Sequence, residues 1–173
     1  NIELGIIRNH YVGRTFIEPT QQIRSLGVKL KHSVNKTLIK NKSLILVDDS
    51  LVRGTTSIKI IKMLYEFGAK EVHLRIASPP IKYPDYYGVD TPTEEELLAS
   101  KLDLEGMRKF INATTLQFLS IEGLYKSMGI EKRNSSYPQF TDHCFTGEYP
   151  VEPVDANDKN FKDAQLSFLS SKF

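Results

Sequence analysis

The chain has 173 residues, 40% of them hydrophobic, with 23 basic and 21 acidic side chains. That length suits one domain around one core, and a net charge of +2 is too balanced to mark nucleic acid or a membrane surface as the partner. A small anionic ligand stays open. The single cysteine, Cys144, excludes an internal disulfide framework and fits a reducing compartment, so a cytoplasmic location is expected.

No apolar run approaches the roughly 20 residues needed to span a bilayer. The start, Asn1-Ile2-Glu3-Leu4, has neither the basic beginning nor the apolar centre of a signal peptide, and the chain is expected to begin in mid-structure. In chain order, Leu4 to Val12 reads as a strand. From Gly13 to about Lys42 the sequence is polar and basic, broken by Gly13, Pro19 and Gly27, which predicts a long mobile loop with a short helix around Gln21 to Leu26. Ser43 to Val47 is a continuous apolar run that suits a strand buried on both faces of a parallel sheet. Ile58, Ile61, Leu64 and Tyr65 recur at helical spacing within a predicted helix from Thr55 to Phe67, with Gly68 placed to cap its C-terminus.

Glu71 to Ala77 is the next predicted strand and completes a β-α-β unit. The loop Ser78 to Pro92 carries four prolines, and Thr93 with Glu96 has the spacing of a capping box for a helix running to about Ser100. A helix over Leu104 to Asn112, a strand over Leu116 to Ser120 and a helix over Ile121 to Met128, stopped by Gly129, follow. Beyond Ile130 the chain is polar and turn-rich, until Phe161, Ala164, Phe168 and Leu169 suggest a weak terminal helix. The expected fold is α/β, a doubly wound, mostly parallel sheet incomplete at its N-terminal end. The expected division is a partial domain over 1–130, with a flexible lid over 8–32, and an extension over 131–173.

Chemistry concentrates where the Ser43 to Val47 strand ends, in Asp48-Asp49-Ser50-Leu51-Val52-Arg53-Gly54-Thr55-Thr56. Open α/β sheets bind ligands at the carboxyl ends of their strands. Two adjacent carboxylates accept hydrogen bonds only, so they suit the 2- and 3-hydroxyls of a ribose, directly or through a hard cation. Gly54 permits positive φ, and the loop ends at a helix start, where backbone N–H groups and about half a positive charge favour a phosphate. Thr55, Thr56 and Ser57 add hydroxyl donors. Two aspartates before a helix are more often simple caps; the order and spacing of the whole string favour the ligand reading.

The string resembles the phosphoribosyl-pyrophosphate (PRPP) signature of type I phosphoribosyltransferases. Gly5 to Ile17, Ala77-Ser78-Pro79-Pro80-Ile81, Tyr87-Gly88-Val89-Asp90 and Cys144 to Pro150 resemble segments of one family among them, the amidophosphoribosyltransferases. The resemblance implies transfer of glutamine-derived ammonia to PRPP, giving 5-phosphoribosylamine and pyrophosphate in the first committed step of purine synthesis. It also implies Asp48 and Asp49 on the ribose hydroxyls and on Mg2+, with Ser50, Arg53, Gly54, Thr55 and Thr56 around the 5-phosphate. Arg53 has the alternative of an ordinary solvent-facing loop arginine.

In the family, a loop matching Arg8 to Lys31 folds over PRPP. Of its cations, Arg14 and Lys31 are expected to contact the reacting molecule in a closed state, and Arg24 to solvate the loop. The resemblance further implies homo-oligomers, inhibition by purine nucleotides, and a separate glutaminase domain supplying ammonia. That domain and the strand bearing the family's pyrophosphate loop are missing from this sequence, so the chain is expected to be a fragment, inactive alone, with unpaired strand edges beside Leu4 to Val12 and Ser43 to Val47.

Some members hold an iron-sulfur cluster on four cysteines. The corresponding places here read Asp85, Thr141 and Cys144, so no cluster is expected. Asp142, His143 and Cys144 are adjacent without an evident distant partner, an arrangement that seldom makes a metal site. The competing functional readings are another type I phosphoribosyltransferase and a non-catalytic PRPP-binding regulatory module.

Overall fold

The computed structural model describes residues 2–8, 32–89, 91 and 93–151. A parallel three-stranded sheet has the order β3 (Ser43–Asp48), β4 (Glu71–Ile76), β5 (Thr115–Phe118). A separate antiparallel pair joins β1 (Ile6–Arg8) to β2 (His32–Val34), with Ile6 opposite Val34. The remaining elements are α1 (Lys36–Ile39), α2 (Thr55–Glu66), a 3-10 turn (Glu94–Glu96), α3 (Leu98–Lys101), α4 (Leu104–Ile111), α5 (Ile121–Ser127) and α6 (His143–Thr146). This is the α/β, parallel-sheet architecture read from the sequence.

The register explains the core. Leu44 lies opposite Val72, Leu46 opposite Leu74 and Asp48 opposite Ile76, while Leu74 faces Leu116 across the next ladder. Because side chains alternate along a strand, these residues share one face. Ile61 and Leu64 of α2, together with Met107 and Ile111 of α4, pack on it. Fully burying each such aliphatic side chain contributes about 1.5–3 kcal/mol. Tyr65 on α2 also reaches the Thr114 hydroxyl at 3.1 Å, and that hydroxyl accepts the Val72 N–H at 3.0 Å.

The opposite face corrects one expectation. Ser43 to Val47 is not buried on both sides, because Ile45 and Val47 are 70% and 68% exposed. Their row continues through His73, Arg75 and Thr115, where His73 Nδ1 and Arg75 Nη1 lie 2.9 and 3.0 Å from the Thr115 hydroxyl. Among the described residues no element covers this side of β3, and no strand pairs with its outer edge. A run of four aliphatics reports that a strand is apolar; it does not report whether both faces are covered.

Other departures are local. The stretch expected to be loop up to Lys42 contains β2 and α1, the latter capped by Asn35, whose side chain accepts the Thr37 N–H. Three- and four-residue elements are too short to leave a periodic signature. The capping box at Thr93 gives a 3-10 turn without a Thr93 side-chain cap bond, and the helix starts afresh at Leu98. By contrast α4 opens on Asp103, which accepts the Gly106 N–H, and α5 opens on Ser120, which accepts the Gly123 N–H. The short helix α6 interrupts a segment read as turns. The helix expected around Phe161 to Leu169, the short helix at Gln21 to Leu26 and the lid beyond Arg8 lie outside the described residues. Among those described, no helix is long and apolar enough to cross a membrane.

Candidate functional site

The β3–α2 connection is built from both sides. Strand β3 runs through Asp48, whose carbonyl accepts the Ala77 N–H at 2.9 Å, so the strand's carboxyl end is tied to β4. The chain then turns on its own carboxylates. Asp48 Oδ1 accepts the Asp49 N–H at 3.1 Å, and Asp49 Oδ1 accepts the Ser50 N–H at 2.6 Å. The Ser50 hydroxyl adds a bond to Asp49 Oδ1 at 3.3 Å. Both carboxylates are thereby held at the sheet edge by local bonds, with Asp49 exposed and Asp48 half-buried.

Leu51 anchors the loop, being 2% exposed, and the Val52 carbonyl accepts the Leu98 N–H at 2.9 Å. Gly54 has φ +76°, and a Cβ there would lie 3.1 Å from Leu98 Cδ2 and 3.2 Å from Phe110 Cε1. Two separate constraints, left-handed backbone and close packing, therefore require glycine. Gly54 is the N-cap of α2 and brings no side-chain cap bond. The first N–H groups of a helix have no intrahelical acceptors; here they open beside the exposed Thr55 and Thr56, while Ser57 is buried.

The predicted residues Asp48, Asp49, Ser50, Gly54, Thr55 and Thr56 thus lie on one continuous turn between sheet edge and helix start. Arg53, on the same turn, is paired with a residue beyond it. Its Nη2 lies 3.0 Å from Glu96 Oε2 of the 3-10 turn, with both side chains about half exposed. The bond from Arg53, ahead of partial desolvation, holds the Glu96 carboxyl below its ordinary range. The contacts of Glu96, read in the sequence only as a capping residue, and of Leu98 with this loop were not legible there, because each lies more than forty positions from its partner. Arg14 and Lys31 are outside the described residues. An open cleft of about 600 Å3, lined in part by Lys82, Leu102, Met107 and Phe118, contains none of the loop residues.

A second cluster joins the proline-rich loop to α6. Asp85 Oδ1 accepts the Tyr87 and Val89 N–H groups at 2.8 and 3.0 Å, which turns Oδ2 toward His143 Nε2 at 2.6 Å and Cys144 Sγ at 3.8 Å. This corrects the sequence reading that His143 and Cys144 have no distant partner, since Asp85 comes from 58 residues away. Burial raises the Asp85 carboxyl, but the two N–H bonds and His143 outweigh it and leave the group below its usual value. Burial, with Asp85 alongside, pushes the Cys144 thiol up to about 11.

Asp142 belongs to another set. It is 4% exposed, takes Arg133 on both oxygens at 2.5 and 3.0 Å, and accepts the Tyr125 hydroxyl at 2.8 Å. Arg133 also reaches Glu148 at 2.6 Å. Burial alone would raise the Asp142 carboxyl; Arg133 and Tyr125 overcome it and lower the group.

No protein-family model matches the chain. Curated proteins do. The amidophosphoribosyltransferase of Rhizobium etli is 59% identical over 170 residues, covering 98% of this chain and 34% of that protein. The Bacillus subtilis enzyme of the same name is 52% identical over 150 residues, 87% of this chain and 31% of its own length. Amidophosphoribosyltransferase 1, chloroplastic, of Arabidopsis thaliana is 52% identical over 155 residues. Among solved structures, the B. subtilis glutamine PRPP amidotransferase complexed with ADP and GMP superposes with a TM-score of 0.73 at 52% identity, over 87% of this chain and 33% of that one. The chain therefore spans about a third of the length of the relatives it matches. Identity of this degree across nearly the whole chain, on a shared α/β fold, makes it a segment related to the amidophosphoribosyltransferase family.

Proposed function

We propose that the Asp48 to Thr56 turn is the ribose-phosphate half of a PRPP site in an amidophosphoribosyltransferase (EC 2.4.2.14), serving formation of 5-phosphoribosylamine from PRPP and glutamine-derived ammonia. The observation that carries this reading is the turn itself: two carboxylates at a strand end, then a left-handed glycine, then an uncapped helix N-terminus. Asp48 and Asp49 take the ribose 2- and 3-hydroxyl protons. The N–H groups and hydroxyls of Thr55 and Thr56, with Ser50 and Gly54, surround the 5-phosphate. Arg53 exchanges Glu96 for the anion.

Two adjacent carboxylates are hard oxygen donors of the kind Mg2+ takes, and the local bonds to Asp49 leave carboxylate capacity for an ion. A bound Mg2+ would neutralise charge as pyrophosphate departs. The chain's own part is to hold the sugar while C1 becomes cationic and to keep water from capturing it. Arg14 and Lys31, on the segment over 8–32, are assigned by resemblance to a lid that dries the site. The domain division is proposed as 1–130 for the partial phosphoribosyltransferase domain and 131–173 for an extension. A glutaminase domain, further copies of the chain and purine nucleotide inhibitors complete the proposed set of partners. A cytoplasmic location follows from the single cysteine and balanced charge, although the Arabidopsis relative is named chloroplastic.

Calorimetric titration of the purified chain with PRPP and Mg2+ tests the site: one-to-one binding is expected, lost in Asp48→Asn together with Asp49→Asn. Pyrophosphate release should appear only when a glutaminase-bearing chain is added. Release with ammonia by the chain alone would overturn the expectation that it is inactive in isolation. Consumption of PRPP driven by a nucleobase would favour another type I phosphoribosyltransferase, and binding without turnover even with the partner would favour a regulatory module.

A further inference from the structure

The 3-10 turn and the start of α3 lie across the β3–α2 loop and meet three consecutive residues of it. The Leu98 N–H bonds the Val52 carbonyl at 2.9 Å, Glu96 pairs with Arg53 at 3.0 Å, and the Leu98 side chain seats Gly54. The two ends of this crossing segment are anchored unequally. Leu97 and Leu98 are 0% and 6% exposed, whereas Thr93 to Glu96 are exposed. That outer end is held by polar contacts: the Glu96 N–H on the Thr93 carbonyl at 2.9 Å, the Ser100 hydroxyl on the Glu94 carbonyl at 2.5 Å, and the Arg53 pair.

Charge makes the Arg53 contact the one a ligand can undo. Arg53 precedes Gly54, the N-cap of α2, where the first helical N–H groups have no intrahelical acceptors. A guanidinium in that place can pair with the Glu96 carboxylate or with an anion seated on the helix start. A phosphate monoester carries about −1.5 to −2 charges near neutral pH and takes a guanidinium in a two-pronged contact. Glu96 offers one charge in a pair that is about half exposed and so worth little by itself. The anion therefore takes Arg53. Glu94, Glu95 and Glu96, three carboxylates in one short turn, then lose a paired cation and repel both one another and the bound anion.

We propose that the Thr93–Glu96 end is a strap that responds to occupancy of the phosphate turn: latched on Arg53 in the empty chain, it is released when a phosphate takes Arg53, and it hinges at Leu97 and Leu98. The strap rests on the reading of Asp48 to Thr56 as a phosphate site and adds a regulated element to it. Coupling between two sites is reciprocal, so whatever holds the strap on Arg53 weakens the phosphate and whatever lifts it strengthens the phosphate.

The test is amide hydrogen exchange of the full chain, followed residue by residue by NMR, with and without PRPP and Mg2+. Saturating PRPP is expected to speed exchange at the Glu96 amide by roughly threefold, the worth of one exposed pair, while the Leu98 amide stays protected on Val52. General tightening around a ligand would slow both amides, so the sign of the change separates the two. Glu96→Gln should exchange at the faster rate at position 96 with or without PRPP, and should tighten PRPP by up to about threefold. In an Arg53→Ala background that tightening should vanish. A Glu96 amide that PRPP slows or leaves unmoved overturns the strap. So does tightening by Glu96→Gln that persists without Arg53, which would be plain repulsion between Glu96 and the ligand. Both results leave the phosphate site standing; failure of the wild type to bind PRPP overturns that site and the strap with it.

Discussion

The turn after β3 and the network beneath α6 use the same residue types to opposite ends. In the turn, Asp49, Thr55 and Thr56 are exposed and Asp49 is bonded only to the neighbouring Ser50, so remaining polar capacity faces outward. Around α6, Asp142 and Asp85 are nearly enclosed and bonded to arginine, tyrosine, histidine and backbone N–H groups. Polar groups kept unsatisfied at a surface are available to a ligand; polar groups satisfied inside hold chain segments together. The first region is accordingly expected to affect binding with little effect on folding, and the second the reverse.

The largest effect should come from the enclosed network. Arg133→Ala leaves Asp142 buried without its cation and should cost about 3 kcal/mol, measured by urea denaturation, because an unpaired buried charge is far worse than a missing pair. The same variant tests pH dependence. Asp142 titrates lower in the folded protein than an ordinary aspartate, so its contribution is present above about pH 4 and is lost as pH falls through the lower folded value. The wild type should lose stability progressively below about pH 4, and Arg133→Ala should show a shallower acid limb.

Gly54→Ala falls between the two regions. The left-handed backbone at φ +76° and contact with Leu98 and Phe110 should together cost about 1–2 kcal/mol, with PRPP binding reduced far beyond what the stability loss explains. If binding survives at wild-type strength, the turn is not the phosphate cradle. Thr55→Ala should leave denaturation within about 0.5 kcal/mol of wild type, yet weaken PRPP by up to roughly tenfold, the value of one hydrogen bond. The smallest effect belongs to Glu96→Gln, which frees Arg53 from an exposed pair. Melting should not move, and PRPP affinity should hold or tighten slightly; a marked loss of affinity would mean that Glu96 positions Arg53 for the ligand.

Much of this was legible in the linear chain, for reasons that differ by element. The α2 helix and the β3–β4 unit could be read because their apolar residues recur with one clear period and Gly68, at φ +90°, ends the helix. Strand β5 was placed one residue late at its start, and α4 ended one residue earlier than predicted, the usual uncertainty where an element frays. The exposed face of β3 was misread because Ile45 and Val47 look the same in sequence whether covered or bare. The capping signal at Thr93 was present, yet the chain there follows the docking of Leu98 on Val52 and of Glu96 on Arg53.

The sequence by itself determined the strand–turn–helix order and the family resemblance, on which the ligand chemistry proposed for the turn rests, because both depend on residue type and short-range order: Asp48-Asp49, then Gly54, then Thr55-Thr56. Tertiary structure alone decided which polar residues pair. Asp85 meets His143 across 58 positions, Arg53 meets Glu96 across 43, and Asp142 turns from its neighbour His143 toward Arg133. Such pairings depend on where loops are brought back by the packed sheet and helices, a long-range outcome for which no local spacing carries a signal.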